Sequence, residues 1–206
     1  MKTYVVVITG ASGSVYGLRV VEQLLSAGEA VTLIATKAGR EVMAYETGFQ
    51  LPEVAVPPET SSAAAQALLG FLELPAASAL RVVDQGDLFD AAASGSARVD
   101  AMVVCPASMG FVGSVASGVA GDLPQRAADV MLKERRPLVL VPRETPVSLV
   151  HLRNLTALAE AGAIILPASP AFYHRPSSID DVVNFVVGKV LDQLEVEHRL
   201  FRRWGE

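Results

Sequence analysis

The chain has 206 residues, 51% of them hydrophobic and 19% charged, and its formal net charge is −5 at pH 7. This length fits one domain with a sizeable core, and the negative charge argues against nucleic-acid binding. Without an apolar run of about 18 residues or a targeting segment, we expect a cytoplasmic protein that does not enter a membrane, and the excess of apolar over charged residues predicts a homo-oligomer.

Apolar runs of strand length alternate with helical patterns along the chain. The runs predict strands over 4–9, 30–36, 79–83, 101–105, 138–142 and 163–166. Helices are predicted over 15–27, 62–72 and 179–194, the last opened by Ser178 and Asp181 as a capping pair. Consecutive apolar positions are typical of parallel strands buried on both faces.

These elements together predict an α/β fold, a Rossmann-like three-layer sandwich with a mostly parallel sheet. Residues 1–206 would form a single domain. Prolines, serines and alanines obscure the pattern after residue 51, so a surface insertion is expected around 52–83.

The first predicted strand leads into the glycine-rich stretch VVVITGASGSVYG. A dinucleotide loop needs G-x-G-x-x-G and an acidic residue at the end of the second strand. Ser12 stands two positions after Gly10, and Thr36 ends the second strand, so this chain has neither feature. A loop for another phosphate-bearing ligand fits better, because helix N-termini attract anions. A glycine turn that only lets a helix pack closely on a strand remains the alternative.

Charged side chains follow in the segment 126–146. Arg126 and Lys133 are two helical turns apart, so they can project from one face of a helix. Arg143 and Glu144 come directly after a buried strand, at the sheet edge where open α/β sheets bind ligands. The turn predicted at 106–110 follows another buried strand and would lie at the same edge.

The remaining candidates are an aromatic loop and a cysteine. Residues 170–176 form a proline-bounded loop in which Tyr173 offers a hydroxyl to an anion. Cys105 ends an apolar run without an evident base beside it, which favours a core residue over a nucleophile. One cysteine excludes an internal disulfide, and the three histidines show no metal-ligand spacing, so no metal is expected.

Five motifs together resemble the UbiX/Pad flavin prenyltransferases. They are GASGSVYG, ASGS at 93–96, QRAADVMLKERRPLVLVPRETP at 125–146, HLRNLTALAEAGAIILPASPAFYHRP at 151–176 and the terminal RRW. The resemblance covers nearly the whole chain outside 52–83.

The resemblance implies an enzyme that joins the dimethylallyl group of dimethylallyl monophosphate to reduced FMN, first at N5 and then at C6. The product, prenylated FMN, would serve a UbiD-type decarboxylase. Members of the family need no metal and assemble as homododecamers, with the flavin at a junction between subunits.

The resemblance also implies roles for individual residues. Those expected to hold FMN are Gly10, Ala11, Ser12, Thr36, Ser108, Met109, Gly110, Phe111 and Arg143. Those expected to bind the prenyl phosphate are Arg126, Lys133, Tyr173 and Lys189. Those expected to act in catalysis are Ser12, Glu46, Lys133, Glu144 and Trp204, the last by closing the site with an aromatic ring.

Two positions depart from the family pattern. Lys189 stands where arginine is common, which keeps the charge but loses the bidentate fork. Phe111 stands at a turn position that threonine often occupies, so packing would replace one hydrogen bond to the flavin. Two alternatives remain open: an FMN carrier without chemistry, and an FMN-dependent cysteine decarboxylase, which would carry a histidine in the first helix where 15–27 has none.

Overall fold

The computed structural model describes residues 1–54 and 61–205. Six strands are present in this part of the chain: β1 (Thr3–Ile8), β2 (Ala30–Ala35), β3 (Leu80–Val83), β4 (Ala101–Ala107), β5 (Leu138–Pro142) and β6 (Ile164–Ile165). The helices are α1 (Ser14–Ser26), α2 (Lys37–Thr47), α3 (Ser61–Phe71), α4 (Met109–Ala116), α5 (Leu123–Lys133), α6 (Leu149–Glu160) and α7 (Ile179–Gln193).

All six strands pair in parallel, in the order β3-β2-β1-β4-β5-β6. The predicted Rossmann-like sandwich is therefore confirmed, and the described sheet is wholly parallel. The strand order reverses between β1 and β4. Parallel sheets bind ligands at such a reversal, outside the carboxyl ends of the strands.

The core lies in two layers, one on each face of the sheet. Successive side chains of a strand point to opposite faces, so Val6 packs with α1, α3 and α7, whereas Val5 and Val7 pack with α4, α5 and α6. The central strands β1, β4 and β5 are apolar at consecutive positions because both of their faces are covered.

The segment expected to be a surface insertion contributes to the first of these layers. Leu68 and Leu69 of α3 are buried in the core, and Val82 of β3 is fully buried in the sheet. Helix α3 covers the sheet, and β3 forms its edge beyond β2. The part of the expected insertion that falls on 55–60 lies outside the described residues.

One further feature differs from the sequence-based expectation. The turn expected at 106–110 reduces to Ser108, because β4 continues to Ala107 and α4 begins at Met109. Ser108 ends the strand and caps the helix with its own hydroxyl.

Helix α1 approaches the sheet closely at a glycine. A Cβ atom at Gly17 would lie 2.1 Å from the carbonyl oxygen of Cys105 and 2.8 Å from the Ile8 side chain. Backbone atoms cannot yield as a side chain does, so only glycine fits here. Close packing is thus one purpose of the glycine-rich stretch, as the alternative interpretation predicts.

Within the described residues, no helix is long and apolar enough to cross a membrane. The same residues contain no group of three or more His, Cys, Asp or Glu side chains that could hold a metal ion.

Candidate functional site

A buried threonine joins the two halves of the sheet where the strand order reverses. The Thr9 hydroxyl donates a hydrogen bond of 2.7 Å to the Pro106 carbonyl and accepts one of 2.7 Å from the Ser108 amide. Because Thr9 is only 2% exposed, both bonds are shielded from water. They fix the start of α4 relative to the end of β1, which sets the shape of this crevice.

Arg143 reaches from the end of β5 to the glycine-rich loop. Its Nε atom donates a hydrogen bond of 2.9 Å to the Ser12 carbonyl. Ser12, Glu46 and Arg143 line a groove of about 460 Å³ together with residues of α1 and the start of α7. The guanidinium keeps donors besides Nε, so Arg143 can hold the loop and still bind an anion.

Glu46 caps the N-terminus of α1 from the neighbouring helix α2. Gly13, the N-cap residue, offers no side chain. The Glu46 carboxylate instead accepts hydrogen bonds from the amides of Gly13 (2.9 Å) and Ser14 (2.9 Å) and from the Ser14 hydroxyl (2.6 Å). These are donors that a phosphate would use at a helix N-terminus.

In this structure the Glu46 carboxylate occupies the Gly13 and Ser14 amides, so a phosphate at this loop would have to use other donors. Burial alone raises the pKa of Glu46. Hydrogen bonds from the Ser12 and Ser14 hydroxyls and from the Gly13 and Ser14 amides outweigh burial and hold the pKa below its usual value. Glu46 is thus an ionised acceptor that orients the Ser14 hydroxyl.

Thr36 and Ser108, at the carboxyl edge of the sheet, each cap a helix and keep a hydroxyl proton that can bind a ligand. The Thr36 hydroxyl accepts from the Gly39 amide at 3.0 Å and caps α2. The Ser108 hydroxyl accepts from the Phe111 amide at 3.3 Å and caps α4. Each hydroxyl retains a proton to donate to a ligand, so both positions fit a phosphate-bearing molecule.

The residues that open α4 present their backbone and not their side chains. Met109 and Phe111 are each 7% exposed and pack in the core. The first amides of any helix lack acceptors within the helix. Met109 and Gly110 therefore offer backbone N–H groups at the carboxyl edge of the sheet. Gly10 meets Ala38 so closely that a Cβ would lie 2.6 Å from it, and Ala11 is buried.

Glu144 lies at the carboxyl edge of the sheet, with its side chain exposed to solvent. It follows Arg143 at the end of β5 and accepts a hydrogen bond of 3.2 Å from the Thr145 amide. A carboxylate here can exchange protons with a molecule in the neighbouring groove.

Arg126 and Lys133 lie on α5, in the layer opposite α1 and α7. Arg126 pairs with Asp129 at 2.8 Å and also donates to the Ala93 carbonyl at 3.2 Å. Lys133 ends the helix and pairs with Glu134 at 2.5 Å. Helix α5 begins beside the carboxyl edge of the sheet, where Leu123 donates to the Gln85 carbonyl at 2.8 Å, so Lys133 lies toward the amino edge.

Tyr173, Lys189 and Trp204 belong to a third surface, formed by the aromatic loop, α7 and the C-terminal segment. The Tyr173 ring contacts the rings of Trp204 and Phe185 edge-on, with centroids 5.3 and 5.8 Å apart. Lys189 is one helical turn beyond Phe185 and pairs with Asp192 at 3.0 Å. Tyr173 and Trp204 also line a surface pocket of about 400 Å³ with three arginines.

The predicted site residues therefore lie on three surfaces of one chain. We call them the rim (residues 10–12, 36, 46, 108–111, 143 and 144), the α5 surface (Arg126 and Lys133) and the aromatic surface (Tyr173, Lys189 and Trp204). The groove at the rim and the pocket at the aromatic surface have no lining residue in common.

Sequence reasoning missed Thr9, Ser14 and Asp192. The only signal for Thr9 was a hydroxyl residue at the end of an apolar run. Ser14 lies within GASGSVYG and Asp192 lies in no motif, but sequence gave no sign of either role, because each depends on a partner from another element or a later segment. Cys105 is fully buried, and burial raises the pKa of its thiol, so its expected place in the core is confirmed.

Comparison with known proteins reveals close relatives. Residues 1–191 match the flavoprotein family. The flavin prenyltransferase UbiX of Pseudomonas aeruginosa is 46% identical over 202 residues, covering 97% of this chain and 92% of that protein. UbiX of Escherichia coli is 41% identical over 207 residues, covering 99% and 98%.

Solved structures agree with these relatives. AnUbiX (PadA1), in a complex with FMN and dimethylallyl pyrophosphate, superposes with a TM-score of 0.85 at 35% identity, covering 100% of this chain and 98% of that one. A dodecameric FMN-dependent UbiX-like decarboxylase from Escherichia coli O157:H7 gives 0.83 at 35% identity, covering both chains fully. Given this identity along nearly its whole length and the strand ends that form its rim, the chain belongs to the UbiX family of flavoproteins.

Proposed function

We propose that this protein is a flavin prenyltransferase, which joins the dimethylallyl group of dimethylallyl monophosphate to N5 and C6 of reduced FMN. The observation that carries the proposal is the groove at the strand reversal, lined by Ser12, Glu46 and Arg143, in a chain 46% identical to a flavin prenyltransferase. The product, prenylated FMN, would pass to a UbiD-type decarboxylase, and no metal takes part.

The rim would hold FMN. Its donors are the Thr36 and Ser108 hydroxyls, the first amides of α4 and the Arg143 guanidinium, which suit a ligand with a phosphate and several carbonyl groups. Reduced FMN supplies the electron-rich atoms that accept the prenyl group. The side chains of Met109 and Phe111 pack in the core beneath α4. Phenylalanine at position 111 therefore leaves the hydrogen-bond donors named above in place.

The other two surfaces would bind and activate the prenyl phosphate. Loss of monophosphate from an allylic carbon separates charge, and fixed cations lower this barrier. Arg126, Lys133 and Lys189 supply such cations, and the Tyr173 hydroxyl can donate to phosphate. Trp204 and Tyr173 offer aromatic faces to an allylic cation and exclude water from it.

The three surfaces would meet between subunits of a homododecamer. A structural relative is dodecameric, and this chain exposes apolar side chains that an assembly would cover. Leu149, Val150 and Leu152 at the start of α6 are 61%, 62% and 48% exposed. Grouped exposed apolar residues are typical of protein interfaces.

Glu144 would move a proton at the reacting flavin. We expect Glu144→Gln to bind FMN with wild-type affinity but to form prenylated FMN about a hundredfold more slowly, since general acid and base groups contribute on this scale. Anaerobic single-turnover assays with reduced FMN and dimethylallyl monophosphate measure the rate, and flavin titration measures binding. Glu160→Gln, an exposed residue at the end of α6, is the control. Wild-type turnover in Glu144→Gln would overturn this role.

An alternative is a carrier that binds FMN without changing it. One measurement distinguishes this carrier from a prenyltransferase. The protein is incubated anaerobically with reduced FMN and dimethylallyl monophosphate, and the mass of the released flavin is determined. We expect a mass increased by one dimethylallyl group. Bound flavin of unchanged mass would favour the carrier.

A cysteine decarboxylase is not favoured by any observation. TvaF, an enzyme of that class, shares 20% identity and a TM-score of 0.55, a likeness that concerns the fold alone. Helix α1 contains no histidine.

A further inference from the structure

Asp192, near the end of α7, accepts hydrogen bonds from three basic side chains. Its carboxylate lies 3.0 Å from Lys189 Nζ, 3.1 Å from His198 Nε2 and 2.8 Å from a guanidinium nitrogen of Arg203. The Asp192 side chain is only 17% exposed. Burial alone raises its pKa, but the hydrogen bonds from Arg203, Lys189 and His198 outweigh burial and lower the pKa to about 2.

Two of these partners belong to the segment that follows α7, residues 198–204, which we call the C-terminal segment. It lies on α7 at a glycine: a Cβ at Gly188 would be 2.4 Å from the Phe201 ring and 2.7 Å from the His198 ring. The His198 side chain is 1% exposed, and the Phe201 ring packs on Phe185 with centroids 4.9 Å apart.

The C-terminal segment ends at the aromatic surface. Trp204 follows Arg203 directly and contacts the Tyr173 ring edge-on at 5.3 Å. Trp204 is nevertheless 82% exposed, so this contact buries little of the indole and contributes little to holding it. The charged contact one residue earlier, between Arg203 and the largely buried Asp192, is the stronger attachment.

We propose that Asp192 is a positioning residue, which holds the C-terminal segment on α7 through Arg203 and thereby places Trp204 against Tyr173 at the prenyl-phosphate site. The same carboxylate orients Lys189, whose ammonium has two further N–H groups for a phosphate. The role in substrate binding rests on the proposed function. The attachment of the segment does not.

Trp204 is the only tryptophan of the chain, so its fluorescence reports on this segment alone. In the intact oligomer, Asp192→Asn and Arg203→Gln should each lower the fluorescence anisotropy of Trp204, because a segment that is no longer held on α7 moves more freely. Glu197→Gln, which removes an exposed carboxylate from the same stretch of chain, is the matched control and should leave the anisotropy unchanged.

The two variants change the local charge in opposite directions, and this separates positioning from a general electrostatic effect. If Asp192 acts by holding the segment, both variants raise the KM for dimethylallyl monophosphate, by about tenfold for the loss of a charge-assisted contact, while kcat changes less than twofold. The double variant should resemble Asp192→Asn, because the Asp192–Arg203 pair is already broken in that single variant.

Other results would overturn the proposal. Unchanged Trp204 anisotropy in Asp192→Asn would show that the segment is held by other contacts. KM values that move in opposite directions in the two variants would show that only charge matters. A wild-type protein that does not prenylate FMN would disprove the proposed function, and the fluorescence comparison would still decide how the segment is held.

Discussion

At the N-terminus of α1, the Glu46 carboxylate occupies donors that sequence reasoning assigned to a phosphate. The residue comes from α2, 33 positions after Gly13, and also accepts from the Ser14 hydroxyl. Two side chains that were expected to move protons, Ser12 and Glu46, line the same groove, and the Ser12 hydroxyl contributes to the lowered pKa of Glu46. The ionised carboxylate of Glu46 is therefore an acceptor within the groove.

We predict that the cap formed by Glu46 makes stability depend on pH. The pKa of Glu46 is lower in the folded chain than its usual value of 4.5, so its stabilising effect is present above that value and is lost as the pH falls through the folded pKa. Glu46→Gln should lower the free energy of unfolding by about 1 kcal/mol at pH 7, the size of an ordinary N-cap, and by less near pH 4.

Urea unfolding at a fixed protein concentration across this pH range measures the difference between wild type and variant. Glu41→Gln, an exposed change on the same helix, is the control and should show no such trend. A constant difference between wild type and Glu46→Gln at all pH values would contradict the ionised cap.

Among the elements, α1 has the most demanding position. It packs on the sheet through Gly17 and contacts α7 in the same layer. We expect Gly17→Ala to destabilise the fold by about 3 kcal/mol or more, since the added methyl meets the Cys105 carbonyl at 2.1 Å and overpacking against backbone is costly.

Thermal unfolding measures this loss, with Gly70→Ala as the matched control. Gly70 lies in α3, and a Cβ added there would have no atom within 4 Å. That exchange should leave the melting temperature unchanged or raise it, because alanine favours a helix. Equal melting temperatures for the two variants would refute the close approach of α1.

Elements were predictable where the pattern is local. The buried strands follow from their apolar runs, and α7 follows from its capping pair Ser178 and Asp181, whose reciprocal bonds are present. The place of α3 and β3 was not predictable, because alanine-rich helices bury small faces that resemble a linker in sequence. The beginning of α4 was missed since Ser108 fits a turn and a helix cap equally well.

The candidate site was predictable in composition but not in arrangement. Ser12, Thr36, Ser108 and Arg143 lie at strand ends, and strand ends share one edge of a parallel sheet. The spacing of Arg126 and Lys133 predicted that they share one helix. It did not predict the layer of that helix, because sequence spacing does not determine which face of the sheet a helix covers.

In a single chain, the rim, the α5 surface and the aromatic surface lie apart. They can form one site only where several copies of the chain assemble. Helix α5 packs on one face of the sheet and α7 on the other. A site that uses all three surfaces would draw them from different subunits of a symmetric assembly.

We predict that two inactive variants restore activity when they assemble together. Arg143→Ala disables the rim and Tyr173→Phe the aromatic surface. If a site takes these residues from different chains, random co-assembly in equal amounts leaves about one quarter of the sites with neither defect. Prenyl transfer by the co-expressed, doubly tagged oligomer, compared with each variant alone, measures the recovery. A mixed oligomer no more active than the separate variants would place both residues in one chain's site.

The internal carboxylate at α1 limits how this scaffold can be redesigned. Adding the glycines of the G-x-G-x-x-G pattern would not make this a dinucleotide-binding loop. Glu46 would repel a pyrophosphate and would also occupy the Gly13 and Ser14 amides. Any exchange of ligand preference at this loop has to begin on α2, in a helix that no glycine fingerprint includes.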